Sequence, residues 1–129
     1  MKKILLVTGG AGFVGSNLIE FLIKKTKFKI ISLDDYSSGS KKNHVINNRV
    51  LYLRGHTKDI GKKLYKYKSK ISTIFHFGEF SRIYQSFGQM NKCLQSNTIG
   101  SNAVINFCLK NNIKLIYSAT SASLGNNGK

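Results

Sequence analysis

Gly9, Gly12 and Gly15 stand three residues apart behind Thr8, and Asp34 follows Gly15 by 19 residues. Glycines where a strand turns into a helix let a phosphate approach the helix N-terminus, whose unpaired N–H groups and dipole favour an anion. An acid roughly 20 residues further on, at the end of a second strand, is placed to accept hydrogen bonds from a ribose. The spacing reads two ways. Gly10, Gly12 and Gly15 form G-x-G-x-x-G, whereas Gly9, Gly12 and Gly15 form G-x-x-G-x-x-G. A flexible loop with a helix-capping Asp is the plainer alternative. The flanking strand and helix signals favour the phosphate loop.

Those signals recur along the chain. Ile4–Val7 is a short continuous apolar run, as expected of a buried parallel strand. Val14, Leu18 and Leu22 recur every four residues in a first helix over 12–25. Lys29–Leu33, Val50–Leu53, Ser72–Phe77 and Lys114–Ser118 read as further strands. Ile60, Leu64 and Tyr67 give one apolar stripe to a lysine-rich helix. A helix over 97–111 has Val104, Ile105, Cys108 and Leu109 on one side, and Asn111-Asn112 as its stop. Strands alternating with helices predict an α/β fold, a Rossmann-type doubly wound parallel sheet that is truncated after about five strands, in a single domain over 1–129. Such sheets bind ligands beyond the carboxyl ends of their strands, which selects 9–15, 34–39, 55–57, 77–82 and 118–121.

The composition narrows the class. At 41% hydrophobic, 129 residues suffice for one core. No apolar run approaches the roughly 18 residues of a membrane span, and the apolar run after Met1-Lys2-Lys3 is too short for a signal peptide. Cys93 and Cys108 lack metal-ligand or C-x-x-C spacing and read as reduced, buried thiols of a cytoplasmic protein. No metal site is expected. The net charge of +16 would suit nucleic acid, yet 18 of the 21 basic residues are scattered lysines. They read as a solvated surface, with non-specific nucleic-acid association in low salt and no specific nucleic-acid partner.

Thr8–Leu18, with its four glycines, closely resembles the opening of extended short-chain dehydrogenases/reductases, and most of all the NAD-dependent epimerase/dehydratase branch acting on nucleotide-sugars. Leu33-Asp34-Asp35-Tyr36-Ser37-Ser38-Gly39 is similar to that branch's second-strand loop. Asn97-Thr98-Ile99-Gly100-Ser101 resembles its Asn-x-x-Gly-Thr helix start, and Ile116–Gly125 its serine-rich segment. These matches follow family order from Lys3 to Gly125.

The resemblance implies bound NAD and a nucleotide-sugar substrate, as in UDP-glucose 4-epimerase. Gly9, Gly12 and Gly15 would shape the pyrophosphate loop, with the amides of Phe13 and Val14 facing phosphate. Asp34 would bind the adenosine ribose and repel a 2′-phosphate, predicting NAD over NADP. Asp35, Ser37, Ser38 and Gly39 would line the ribose and adenine. Phe77, Gly78, Glu79 and Ser81 would wrap the middle of the cofactor. Asn97 would lie near the nicotinamide, with a helix N-cap as its other reading. Thr120 aligns with the catalytic Ser/Thr; Ser118, Ser121 and Ser123 are the neighbouring candidates, and a buried Thr satisfying its own backbone is the plainer alternative.

The chain also departs from the pattern. His56 and Thr57, cofactor-binding candidates beyond the end of the third strand, follow Gly55 where the family has an acid for the adenine. Glu79 puts a carboxylate where the family has small residues, and Leu124 replaces a Tyr. His76 reads as a core or strand-end histidine, and Arg82 as a solvated arginine. Tyr-x-x-x-Lys, the family's acid/base pair, occurs nowhere in residues 1–129. The expectation is therefore the N-terminal part of a longer, homodimeric enzyme, inactive alone. A 4,6-dehydratase, a reductase and a non-catalytic dinucleotide-binding module are the alternatives, with a basic nucleic-acid-binding protein resting on charge alone.

Overall fold

The computed structural model describes residues 2–120 and 125. Five strands, β1 (Ile4–Thr8), β2 (Lys29–Asp34), β3 (Val50–Arg54), β4 (Ile71–His76) and β5 (Lys114–Tyr117), pair in parallel in the order β3-β2-β1-β4-β5. The order reverses beside β1, so the crevice of this Rossmann-type sheet opens between the ends of β1 and β4.

Alternation along the strands builds two apolar layers. Leu5, Val7 and Ile30 face α1 (Phe13–Lys25) and meet its Ile19 and Leu22. Ile4, Leu6, Ile31, Leu33, Ile71 and Ile74 face the other way, onto Ile60, Leu64, Val104, Phe107 and Cys108. Every residue of central β1 is buried, whereas β3 and β5 at the edges are largely open.

Some local structure differs from the sequence expectation. Gly12 is the N-cap of α1, and the helix buries Gly15, Ser16, Ile19 and Leu22. Val14 is exposed at the cleft instead of sharing the core face. The lysine-rich segment forms one turn, α2 (Ile60–Lys63), then hydrogen-bonded turns up to Lys70. Ile60 and Leu64 are nevertheless buried, and Tyr67 packs against them. Lys62, Lys66 and Lys70, spaced four apart, would repel along a longer helix.

Two helices with no buried residue, α3 (Ile83–Gly88) and α4 (Met90–Leu94), left no burial pattern to read. A π-helical turn over Gln95–Gly100 then leads into α5 (Ser101–Asn111), so the regular helix starts four residues later than expected. Its buried face is Ser101, Val104, Phe107 and Cys108; Ile105 and Leu109 are exposed. The hydrogen bond from buried His76 to the Ser101 hydroxyl fixes that rotation. Asn112 ends α5 in the left-handed conformation. Among the described residues no helix is long and apolar enough to cross a membrane. Burial pushes the Cys108 thiol up to about 11, while Cys93 is only half-buried.

Candidate active site

The carboxyl ends of all five strands meet in one cleft of about 990 Å³, large enough for a dinucleotide. Gly9, Gly12, Phe13, Val14 and Gly15 line it between β1 and α1. Gly9 has φ +70°, and a Cβ there would stand 2.9 Å from the Phe77 backbone. A Cβ on Gly15 would come within 2.2 Å of the Gly9 carbonyl oxygen. The turn therefore needs glycine for conformation at one position and for close approach at the other. Gly10 lies under the loop against Ser32 and Ile19 and is absent from the cleft lining, so the cleft uses the G-x-x-G-x-x-G reading. No side chain caps α1 at Gly12, so its first amides open toward the cleft as an anion cradle.

Asp34 ends β2 with 8% exposure. Its Oδ2 accepts the Ala11 N–H at 2.9 Å and its Oδ1 accepts the Tyr36 N–H at 2.8 Å. The carboxylate thus ties the glycine loop to the end of β2, and each oxygen keeps acceptor capacity for a ligand hydroxyl. Asp35 accepts from the Ser37 N–H, which turns Ser37 and Ser38 along the cleft wall. Gly39 does not line the cleft. It passes behind Ala11, where a Cβ would stand 2.9 Å from the Ala11 Cβ, so it supports the glycine loop from outside. Asn43, which the sequence did not single out, donates to the Ala11 carbonyl at 2.8 Å and lines the cleft.

Past β3, His56 and Thr57 line the wall. His56 Nδ1 accepts the Lys58 N–H at 3.1 Å, which leaves Nε2 to face the Ser96 hydroxyl at 3.3 Å. Thr57 Oγ1 has no hydrogen-bond partner among the described residues and faces Gly100, where a Cβ would come within 2.3 Å.

Phe77, Gly78, Glu79 and Ser81 follow β4 along the cleft, with Arg82 exposed beside them. Asn97 clamps this loop: its Oδ1 accepts the Phe80 N–H at 2.6 Å and its Nδ2 donates to the Phe80 carbonyl at 2.8 Å. Asn97 sits inside the π-helical turn, so it is a loop clamp and not the N-cap of α5.

Behind the loop lies a polar chain. Thr8 Oγ1 accepts the Phe77 and Gly78 N–H groups at 3.1 and 3.0 Å, so its own proton goes to His76 Nδ1 at 2.6 Å. That acceptor role puts the imidazole proton on Nε2, which donates to Ser101 Oγ at 2.9 Å. Ser101 in turn donates to Glu79 Oε1, and the Tyr117 hydroxyl donates to the same oxygen at 2.7 Å. His76 is fully buried, and burial lowers its pKa against the raising effect of Glu79. The hydrogen bond to Glu79 and then burial raise the Tyr117 phenol. Tyr117 and Ser101 are absent from the sequence-derived site; their positions at the end of β5 and the start of α5 were the available signal. Thr120, with Ser118 and Ala119, lines the cleft beyond β5 and is exposed. Ser121, Ser123 and Leu124 lie outside the described residues.

A sheet reversing beside β1, a glycine cradle at its switch point and an acid at the end of β2 define a Rossmann-type α/β protein. Residues 5–129 match the model of the NAD-dependent epimerase/dehydratase family, and the chain belongs to that family. It is 33% identical to a dTDP-D-glucose 4,6-dehydratase of Dictyostelium discoideum, over 94% of this chain and 30% of that protein. A UDP-N-acetylglucosamine 4-epimerase from Methanobrevibacter ruminantium superposes with a TM-score of 0.86 at 29% identity, over 100% of this chain and 42% of that one. The UDP-glucose 4-epimerase of Thermotoga maritima gives 0.85 at 27% identity, over 98% and 41%. The chain thus spans well under half the length of these relatives.

Proposed function

We propose that residues 1–129 form the NAD-binding part of a nucleotide-sugar epimerase that transiently oxidises a sugar hydroxyl, as at C4 of a UDP-glucose-like substrate. The observation carrying this reading is the Asp34 carboxylate, held by two backbone amides at the rim of the glycine cradle. The uncapped start of α1 fits a pyrophosphate, and the anionic Asp34 fits an unphosphorylated ribose. NAD bound there supplies the hydride-accepting chemistry. The chain supplies orientation: Asp34 holds the ribose, the loop clamped by Asn97 walls the cleft, and the Thr120 hydroxyl hydrogen-bonds the reacting sugar hydroxyl. The proton acceptor is a Tyr with its neighbouring Lys, supplied by sequence other than residues 1–129. The working enzyme is a cytoplasmic homodimer.

Calorimetric titration tests the cofactor: NAD+ binds, and NADP+ binds at least about tenfold more weakly. Equal binding of NADP+ would remove the Asp34 reading. Incubation of the NAD-loaded full-length enzyme, with its Tyr and Lys present, with UDP- and dTDP-sugars, followed by NMR, tests the reaction. A C4 epimer supports the epimerase. A 4-keto-6-deoxy product means the dehydratase, the reading favoured by the 33% identical relative. Sequencing the coding DNA past codon 129 for Tyr-x-x-x-Lys separates either enzyme from a non-catalytic binding module.

A further inference from the structure

Glu79 is one of only five acidic residues in a chain of net charge +16. Its side chain is 23% exposed, at the β4/β5 end of the cleft, across from Asp34 at the end of β2. Among the described residues no lysine or arginine nitrogen lies within 4 Å of it. Its partners are the hydroxyls of Ser101 and Tyr117, both on Oε1, and His76, whose Nε2 is 3.7 Å away. The Thr8 proton fixes that imidazole in its neutral form. Oε2 takes no hydrogen bond among the described residues. A largely buried carboxylate held by neutral donors, with one oxygen spare, lacks a cation. Arg82 lines the same wall but is exposed, where solvent screens it.

With the adenosine half of a dinucleotide at Asp34, the nicotinamide half falls on the β4/β5 side of the switch point. We propose that Glu79 selects the oxidation state of the bound cofactor: its carboxylate supplies the negative charge that favours the cationic nicotinamide of NAD+ over the neutral ring of NADH. This rests on the NAD reading above and gives Glu79 a role beyond lining the cleft. The overall positive charge of the chain favours the more anionic NADH, so a preference for NAD+ must come from a local anion. An epimerase returns its hydride in each cycle, and such a bias keeps the resting cofactor oxidised.

The test is a pair of calorimetric titrations, NAD+ and NADH, on the 129-residue chain and on Glu79→Gln, Glu79→Met and Tyr117→Phe. Glu79→Gln keeps an acceptor for Ser101 and Tyr117 while removing the charge; Glu79→Met removes both. Tyr117→Phe keeps the charge and is the control for packing. In the native protein Kd for NADH exceeds Kd for NAD+. That ratio falls roughly tenfold in both Glu79 variants, an upward shift of about 30 mV in the potential of the bound couple. It stays within about twofold in Tyr117→Phe. A native protein binding NADH as tightly as NAD+ overturns the proposal whatever the variants do. So does an unchanged ratio in a Glu79 variant that circular dichroism shows to be folded, and the NAD reading would then stand. If the native protein binds neither dinucleotide, the NAD reading itself fails and takes this one with it.

Discussion

Replacing Asp34 with Asn separates the two jobs given to its carboxylate. In the native protein Oδ1 accepts from Tyr36 and Oδ2 from Ala11, both through backbone N–H groups. An amide side chain has one oxygen, so one of these amides would face an NH2 group. The Ala11 contact is buried, and a buried donor left without an acceptor costs about 1–3 kcal/mol. The surviving bond also loses its charge assistance. We expect Asp34→Asn to lower unfolding free energy by about 2 kcal/mol, read from the urea midpoint at pH 7.5. Affinity for NAD+ should fall roughly 10- to 100-fold, because the ribose hydroxyls lose an ionised acceptor worth about 1.5–3 kcal/mol. NADP+ affinity should fall less, or rise, since the charge opposing its 2′-phosphate is gone. Calorimetry with both dinucleotides reads this as a falling NAD+/NADP+ preference. A variant as stable as the native protein to within about 0.5 kcal/mol, with NAD+ affinity changed less than about twofold, would refute both the anchoring and the ribose argument.

Other substitutions probe the loop and its supports. Gly15→Ala places a Cβ within 2.2 Å of a backbone oxygen and should destabilise by about 1–3 kcal/mol in urea unfolding. Gly61→Ala, in α2 with nothing within 4 Å, should instead stabilise by about 0.5–1 kcal/mol. Asn97→Ala removes both hydrogen bonds to Phe80, and the Phe80 amide should exchange with deuterium at least about tenfold faster. Stability should also fall as pH drops below about 6.5. Burial depresses the pKa of His76 in the folded state, so the unfolded chain takes up the proton first and each further pH unit downward favours unfolding. The half-buried His44 shifts the same way through burial. The His76 contribution has a limiting slope of about 1.4 kcal/mol per pH unit, and urea midpoints between pH 7.5 and 5.5 should show the decline. A flat profile would contradict the neutral, buried imidazole.

The parallel sheet was legible because apolar runs of strand length alternate with helix signals, and burying both faces of a central strand requires such runs. The glycine loop was legible because positive φ and backbone contact exclude other residues. Helices α3 and α4 were not legible, having no buried residue to impose a period. The stripe Val104, Ile105, Cys108 and Leu109 misled because periodicity gives the existence of a face and not its rotation. Ser101 on His76 set the rotation, and Phe107 took the place of Ile105.

Sequence by itself determined the strand order in the chain, the Thr8–Gly15 turn, the acid at Asp34 and the segments that reach the carboxyl edge. Each of these depends on local conformation or short spacing, which a chain states directly. Tertiary structure decided what those groups touch. It chose Gly9 over Gly10 for the cleft, sent Gly39 behind Ala11 and made Asn97 a clamp on Phe80. It also joined Thr8, His76, Glu79, Ser101 and Tyr117 into one hydrogen-bonded chain. These residues come from β1, β4, the loop after β4, α5 and β5 and span more than a hundred positions in the sequence. Only the parallel pairing of β1, β4 and β5 brings their ends together, and hydrogen bonds that act over about 3 Å cannot be read from residues so far apart in the chain.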